Sequence, residues 1–310
     1  MRIVFMGTPE FSVPILEALI NNGYEIVGVV TQPDKKIGRK QILTPSPVKQ
    51  VAKKHSIKVL QPEKIKNEYK EVLTLNPDLI VTAAYGQFIP KEILDFPKYG
   101  CINVHASLLP LLRGGAPIQK AIIEGHKKTG ITIMEMTLKM DAGDILSQKE
   151  IEITAEDTYG SLHDKLSKIG AKLLIETIPK LIKGEIKKIK QDESLVTFAY
   201  NLTREDEKIK WEKQSQDVYN HVRGLDPTPG AYTTIDNQIL KVWKVSLTDD
   251  ESDEQPGTIV KTKTSIGVVC GDKKVVELVE VQVAGKRRMT VKELLNGNVK
   301  EFLAPGKVCK

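Results

Sequence analysis

In the first part of this chain, short apolar runs alternate with stretches of helical period, and no other feature leaves so few folds open. Residues 2–6, 25–31, 58–60, 78–84 and 100–105 have the length and apolar content of strands. Residues 11–22, 47–55, 63–75 and 117–124 repeat their apolar positions at helical spacing. Ser46 and Pro47 stand where an N-cap and a first helical residue belong, which sharpens the start of the second helix. Alternation of this kind means βαβ units, hence an α/β domain with a Rossmann-like parallel sheet and helices on both faces. In such a sheet ligands bind beyond the carboxyl ends of the strands.

The first strand runs into Gly7-Thr8-Pro9 instead of a G-x-G-x-x-G turn, and Pro9 has no N–H to offer a pyrophosphate. A nicotinamide enzyme is discounted on that ground, and the chain holds no P-loop. Its 310 residues suffice for two domains, and 40% hydrophobic with 28% charged residues is the composition of a globular protein with a sizeable core. Aromatics, at 5%, are too sparse for a protein that reads bases mainly by stacking. Cys101, Cys270 and Cys309 are far apart, odd in number and without a C-x-x-C pair, which speaks for a reducing compartment and against a disulfide frame or a zinc site. Residues 1–5 enter a strand directly and no apolar run is long enough to span a bilayer, so a cytoplasmic location is expected.

Residues 131–136 and 145–153 read as two more strands bracketing a turn at Asp141, and residues 158–183 as a long amphipathic helix. Residues 186–208 are polar and read as a connection. From residue 209 the pattern changes to short alternating strands at 230–235, 238–246, 257–262, 265–270 and 274–283, separated by Asp-Asn, Pro-Gly and Gly-Asp turns. That is the pattern of a small, OB-like β-barrel. The expected division is a catalytic domain over 1–189, a linker over 190–208 and the barrel over 209–310. Asp249, Asp250, Glu251, Asp253 and Glu254 read as a solvated acidic loop. The formal net charge of +6 permits a polyanionic partner without demanding one; where the charge sits matters more.

The strand at 100–105 ends in Asn103 and His105, two residues apart and therefore on one side of the strand. An amide donor beside an imidazole suits acyl-type chemistry: the amide holds a developing oxyanion and the His moves a proton near neutral pH. Asp141 is the candidate carboxylate to orient that His. A lone His at a strand end is more often structural, and an Asp-Ala-Gly sequence is ordinarily turn chemistry, so spacing alone leaves an acid–base hypothesis. His105 has no H-x-x-x-H or Cys companion, and no metal is expected.

The residues themselves carry a resemblance. Asn103-x-His105-x-Ser107-Leu108-Leu109-Pro110, Arg113-Gly114, Ala116-Pro117-Ile118-Gln119 and Asp141-x-Gly143-Asp144 resemble the core of the folate-dependent formyltransferases. Met6-Gly7-Thr8-Pro9-Glu10-Phe11, Thr31-Gln32-Pro33-Asp34 through Gly38-Arg39 to Pro45-Ser46-Pro47-Val48-Lys49, and Val222-Arg223-Gly224-Leu225-Asp226-Pro227 are similar to the branch of that family acting on methionyl-tRNA. The match runs in order along nearly the whole chain. It implies formyl transfer from 10-formyltetrahydrofolate, a donor co-substrate, to the amino group of methionine on initiator tRNA. A monomer is expected.

The same resemblance assigns roles. Asn103, His105 and Asp141 would be catalytic, with Asp141 open as either the base or the group that orients His105. Ser107, Leu108, Leu109 and Pro110 would line the folate pocket, Gln87, Phe88 and Ile89 would offer backbone groups to the pterin, and Asp144 would close the other side. Lys35, Lys36, Arg39 and Lys40, with Gly38 as hinge, form a basic loop at the sheet's ligand edge; a charge run is usually a solvated face, and position and likeness favour tRNA. Arg39 is the best candidate for a direct contact, and Arg287 and Arg288 are candidates for more distant phosphates. Leu111, Leu112 and Gly115 depart from the family's common residues around Arg113-Gly114. Two rival readings stand beside this one: a formyltransferase for a small amine, such as an amino sugar or glycinamide ribonucleotide, and a non-catalytic tRNA-binding protein.

Overall fold

A computed structural model of the protein describes residues 1–38, 40–297 and 300–310. The described chain divides into two compact units. One comprises Met1–Pro117, Lys128–Glu152 and His163–Tyr200, the other Ile118–Lys127, Ile153–Leu162 and Asn201–Lys310.

Along the first two-thirds of the chain the elements are β1 (Arg2–Gly7), α1 (Val13–Asn21), β2 (Glu25–Val30), β3 (Lys35–Ile37), β4 (Ile42–Thr44), α2 (Pro47–Lys54), β5 (Val59–Leu60), α3 (Ile65–Leu73), β6 (Leu79–Ala83), α4 (Lys91–Leu94), β7 (Cys101–His105), α5 (Pro117–Ile123), β8 (Lys128–Glu135), β9 (Ile145–Glu152) and α6 (Tyr159–Lys183). Ser46 caps α2 as its position in the sequence requires, its Oγ accepting the Lys49 N–H at 3.1 Å.

Seven strands form one sheet in the order β5-β2-β1-β6-β7-β8-β9. From β5 to β7 it is parallel. Ile3, Val4, Phe5 and Met6 of β1 and Leu79, Ile80 and Val81 of β6 are wholly buried, as inner strands of a sheet covered on both faces must be. The expectation of a parallel sheet needs correcting at one edge, where β8 and β9 run antiparallel to their neighbours. The nine residues between β8 and β9 are too few for the crossover that parallel pairing of those two strands requires. The sheet is therefore mixed.

The loop expected around Gly38 also gains structure: β3 and β4 pair as an antiparallel hairpin, with Lys35 opposite Thr44 and Ile37 opposite Ile42. Arg39, the best tRNA candidate in the sequence, lies outside the described residues.

The remaining elements are α7 (Ser215–Gly224), β10 (Ala231–Ile235), β11 (Gln238–Glu251), β12 (Ile259–Lys261), β13 (Ile266–Val269), β14 (Lys274–Val283), β15 (Met289–Thr290) and α8 (Val291–Leu295). The strands pair antiparallel in the order β10-β11-β14-β13-β12, with β15 beside β14. The last residues close the sheet on itself. Ile259 donates to Lys307 O and Cys309 to Gly257 O on one side, while Lys310 and Thr234 exchange backbone bonds at 2.8 and 2.9 Å on the other. A closed antiparallel sheet has no open edge, which is the barrel's solution to edge pairing.

Two details differ from the sequence reading. β11 runs on through Asp249, Asp250 and Glu251, so the acidic stretch is half strand, because Thr248 and its neighbours still find partners on β14. Helix α7, unforeseen from so polar a sequence, buries Val218 and Val222 in the barrel's core. At Gly224 a Cβ would lie 2.7 Å from Ile123, so only glycine permits that approach. Among the described residues no helix is long and apolar enough to cross a membrane.

Candidate active site

β7 lies between parallel β6 and antiparallel β8, which sets Asn103 opposite Thr82 and Met134, and His105 opposite Thr132. Residues directly opposite share a face, so these side chains gather on one side of the sheet. Thr82, the polar residue in an otherwise apolar strand, donates its hydroxyl to Asn103 Oδ1 at 2.7 Å. With its oxygen engaged, the half-buried Asn103 keeps its Nδ2 donors without a partner among the described residues.

His105 is 5% exposed, and its Nε2 lies 3.1 Å from Leu112 O. A carbonyl only accepts, so Nε2 carries the proton of that bond and Nδ1 is the ring nitrogen left for chemistry. Nδ1 faces Asp141 Oδ2 at 3.8 Å, an ion-pair distance beyond hydrogen-bond range. Asp141 adopts a left-handed backbone (φ 46°), which Asp tolerates better than most residues, and its Oδ2 accepts the Gly114 N–H at 2.8 Å. The fold thus brings His105, two residues from Asn103 on the same strand, to the Asp141 that lies 36 positions further along the sequence.

The loop after β7 is built by groups the sequence reading passed over. Thr132 Oγ1 donates to Ser107 O at 2.7 Å and accepts the Leu109 N–H at 3.1 Å; Gln148 Nε2 reaches Leu109 O at 2.8 Å. Ser107 spends its own hydroxyl on Leu111 O at 2.6 Å. Leu109 is buried with Met134 and Ile145, Leu108 and Pro110 are half-buried, and Leu109–Pro110 is a cis peptide. Leu112, one of the sequence's departures, is 3% exposed with φ 59°, and its carbonyl is the one that holds His105.

On the other side, the Gln87 side chain is committed: it accepts the Ile65 N–H at 2.9 Å and donates to Pro62 O at 3.2 Å. Its backbone remains as the group to offer a ligand. Ile89 is buried and Phe88 is 76% exposed. Asp144 is half-buried, with no side-chain partner among the described residues, and its carbonyl takes the Glu135 N–H at 2.9 Å.

Residues 190–208, expected to be a linker, hold structure. Through Tyr200 they belong to the first unit, where Thr197 and Ala199 pair with Arg113 and Ala116 and Gln191 bonds to the Asp141 turn. Nothing in that polar sequence signalled it, because the pairing is with a loop and has no period.

The sequence profile of the formyl transferase family matches residues 1–178, and that of the formyl transferase C-terminal domain matches residues 201–299. The chain is 58% identical over 300 residues to the methionyl-tRNA formyltransferase of Bacillus cytotoxicus, spanning 96% of each chain. The chain belongs to the methionyl-tRNA formyltransferase family.

Two solved structures are similar in fold. An N-formyltransferase from Helicobacter canadensis, in complex with folinic acid and dTDP-3-aminofucose, superposes with TM-score 0.69 at 19% identity, over 89% of this chain and 98% of its own. Methionyl-tRNA formyltransferase from Clostridium thermocellum superposes with TM-score 0.55, also at 19% identity, over 90% and 99%.

For a methionyl-tRNA formyltransferase, the cationic side chains matter next. Lys35, Lys36 and Lys40 are exposed, with no partner among the described residues. Ile37, Ile42 and Leu43 of the same hairpin are 58%, 60% and 62% exposed. Lys49 is not available: it pairs with Asp34 at 2.7 Å, and this bond, with that of Gln61, holds the Asp34 carboxyl below its ordinary range. Arg288 pairs with Asp226 and Glu280, and Arg287 with Glu293, so both second-unit candidates are already engaged within the protein.

Proposed function

We infer that this chain transfers the formyl group of 10-formyltetrahydrofolate to the α-amino group of methionine on initiator tRNA, at a centre made of Asn103, His105 and Asp141. The observation that carries the reading is 58% identity over 96% of the chain to a methionyl-tRNA formyltransferase, in a chain whose Asn103 has free amide donors beside a ring-fixed His105. The donors fit an oxygen that gains charge.

Asn103 Nδ2–H donates to the formyl oxygen as the amine nitrogen bonds to the formyl carbon, and the charged His105 ring stabilises the same oxygen. The bond from carbon to folate N10 then breaks; the amine gives up a proton and N10 takes one. His105 Nδ1, the ring nitrogen not committed to backbone, is in place to pass it. Asp141 faces that nitrogen and supports its charged form.

Leu108, Leu109 and Pro110, the backbone of Gln87, Phe88 and Ile89, and Asp144 form the walls for the folate; the Ser107 hydroxyl serves the loop itself. Lys35, Lys36 and Lys40, and Arg39 beside them, meet the acceptor arm. The enzyme works in the cytoplasm, where charged tRNA is made. The test is formyl transfer from 10-formyltetrahydrofolate to methionyl initiator tRNA, methionyl elongator tRNA and a nucleotide-linked amino sugar. Transfer to the initiator species well above the other two is expected. Preferred transfer to the amino sugar would overturn the acceptor assignment, and no transfer to any acceptor would overturn the activity.

A further inference from the structure

We propose that Gln191 is a positioning residue for the reaction: it clamps the Asp141 turn, and through it the carboxylate that faces His105. The proposal rests on the reading of Asp141 given above.

Gln191 Nε2 donates to two carbonyls of the turn, Asp141 O and Gly143 O, each at 2.8 Å. Its Oε1 accepts from Arg113 Nε at 3.0 Å and Arg113 Nη2 at 2.8 Å. The carbonyls only accept and the guanidinium only donates, so the amide has one possible orientation and both its ends are filled. The turn it holds is an awkward one. Asp141 is left-handed (φ 46°), and at Gly143 a Cβ would lie 1.9 Å from Glu135 O. Conformations of this kind persist where surrounding groups over-determine them.

The clamp closes on a single tripeptide. Leu112 accepts from His105, the Arg113 side chain grips Gln191, and Gly114 donates to Asp141 Oδ2. Gly114 has φ 127°, and a Cβ there would lie 2.5 Å from Ala199 O, so that register admits only glycine. Both partners in the His105–Asp141 pair are therefore referred to the same three residues, and Gln191 ties the Asp141 main chain to them. Arg113 is wholly buried, pairs with Glu193 at 2.9 Å, and leaves its Nη1 without a partner among the described residues. A buried guanidinium so placed is a poor stabiliser and a good ruler. Glu193 is itself held by Lys139 at 2.6 Å.

Displacement of a reacting group by about 1 Å can cost about 10²-fold in rate. Gln191→Met removes both ends of the clamp, and Gln191→Glu keeps an acceptor for Arg113 while facing the two turn carbonyls with oxygen. Both variants are expected to lose roughly 10- to 100-fold in kcat, with KM for folate and for charged tRNA changed less than about twofold. A residue serving only to satisfy Arg113 would leave Gln191→Glu active. On an Asp141→Asn background, Gln191→Met should cost less than about twofold more, since the two act through one carboxylate. Parental kcat in Gln191→Met and Gln191→Glu, with Asp141→Asn impaired, would overturn the clamp and leave the centre standing. So would a kcat loss in Gln191→Met that is equally large on the Asp141→Asn background. Parental turnover by Asp141→Asn alone would instead overturn the reading of Asp141 and the clamp with it.

Discussion

The proposed reaction centre and the basic hairpin lie in one unit and are built on opposite terms. At the centre each side chain is anchored through one polar atom: Asn103 Oδ1 by Thr82, His105 Nε2 by Leu112, Asp141 Oδ2 by Gly114. On the hairpin, Lys35, Lys36 and Lys40 stand exposed without partners among the described residues, beside three exposed aliphatic side chains. The contrast suits the two tasks proposed for them. Stabilising charge on one oxygen needs donors fixed before the substrate arrives, since reorganisation at the moment of reaction is what catalysis avoids. Attracting a polyanion needs charge near the surface and tolerates loose geometry, because counterion release depends on how many phosphates are neutralised. Substitutions at the centre should therefore act on turnover, and substitutions on the hairpin on binding and its salt dependence.

The largest effect tests the rigid side. Asn103→Ala and His105→Ala are each expected to lower kcat by about 10²- to 10³-fold in single-turnover formyl transfer, with Asp141→Asn comparably damaging. Thermal unfolding of Asn103→Ala, whose side chain is half-buried, should stay near that of the parent. A folded Asn103→Ala protein with near-parental turnover would remove the centre from the mechanism and erase the contrast.

Next comes the hairpin. Joint replacement of Lys35, Lys36 and Lys40 by Ala should raise KM for charged tRNA by roughly tenfold at physiological salt, and flatten the salt dependence by about 0.9 in log–log slope for each lost phosphate contact. Folate KM and kcat at saturating tRNA should hold. Arg39→Ala should act in the same direction, with Arg39→Lys recovering only part, because an ammonium keeps the charge and loses the planar fork. Unchanged tRNA kinetics at low salt would make the hairpin an ordinary solvated surface. Asp250→Ala, on β11, is the matched control and should leave these kinetics as they are.

A third experiment sharpens the contrast without touching activity. Burial pushes the thiols of Cys101, Cys270 and Cys309 up to about 12. Thiolate is the reactive form, so alkylation of the native protein at pH 8 should be very slow and become rapid on unfolding. Cys101 shares β7 with Asn103. Rapid native labelling there would mean that the strand carrying the centre opens, contrary to a preorganised site.

The smallest effect concerns Glu193, whose hydrogen bonds to Arg113 and then to Lys139 lower its carboxyl to about 2 from an ordinary 4.5. A depressed folded value means the pairing contributes stability that is present above about pH 4.5 and lost as pH falls through about 2. The stability difference between parent and Glu193→Gln, from denaturant titrations across that range, should be slight because the carboxyl is exposed, and should vanish toward pH 2. A difference that grows on acidification would show that Glu193 is not charged in the pair.

Much of this protein was legible in its sequence because period and local chemistry dictate it. The strands that become β1, β2, β6 and β7 announce themselves as apolar runs, since inner strands of a covered sheet have no solvent face. Ser46 before Pro47 marks the start of α2, because a cap satisfies N–H groups within one turn. Asn103 and His105 share a side by strand alternation alone. Only the tertiary structure decided the rest. The antiparallel course of β8 and β9, the tail that closes the barrel and the placement of residues 190–200 beside Arg113 depend on partners far along the chain. The distance from His105 to Asp141, and the Leu112-Arg113-Gly114 frame that sets it, come from hydrogen bonds between loops. A loop carries no period to read, and its bonds run to whatever group the fold brings near; that is why the candidate residues of β7 could be proposed from the sequence, and the loop residues that hold them in place could not.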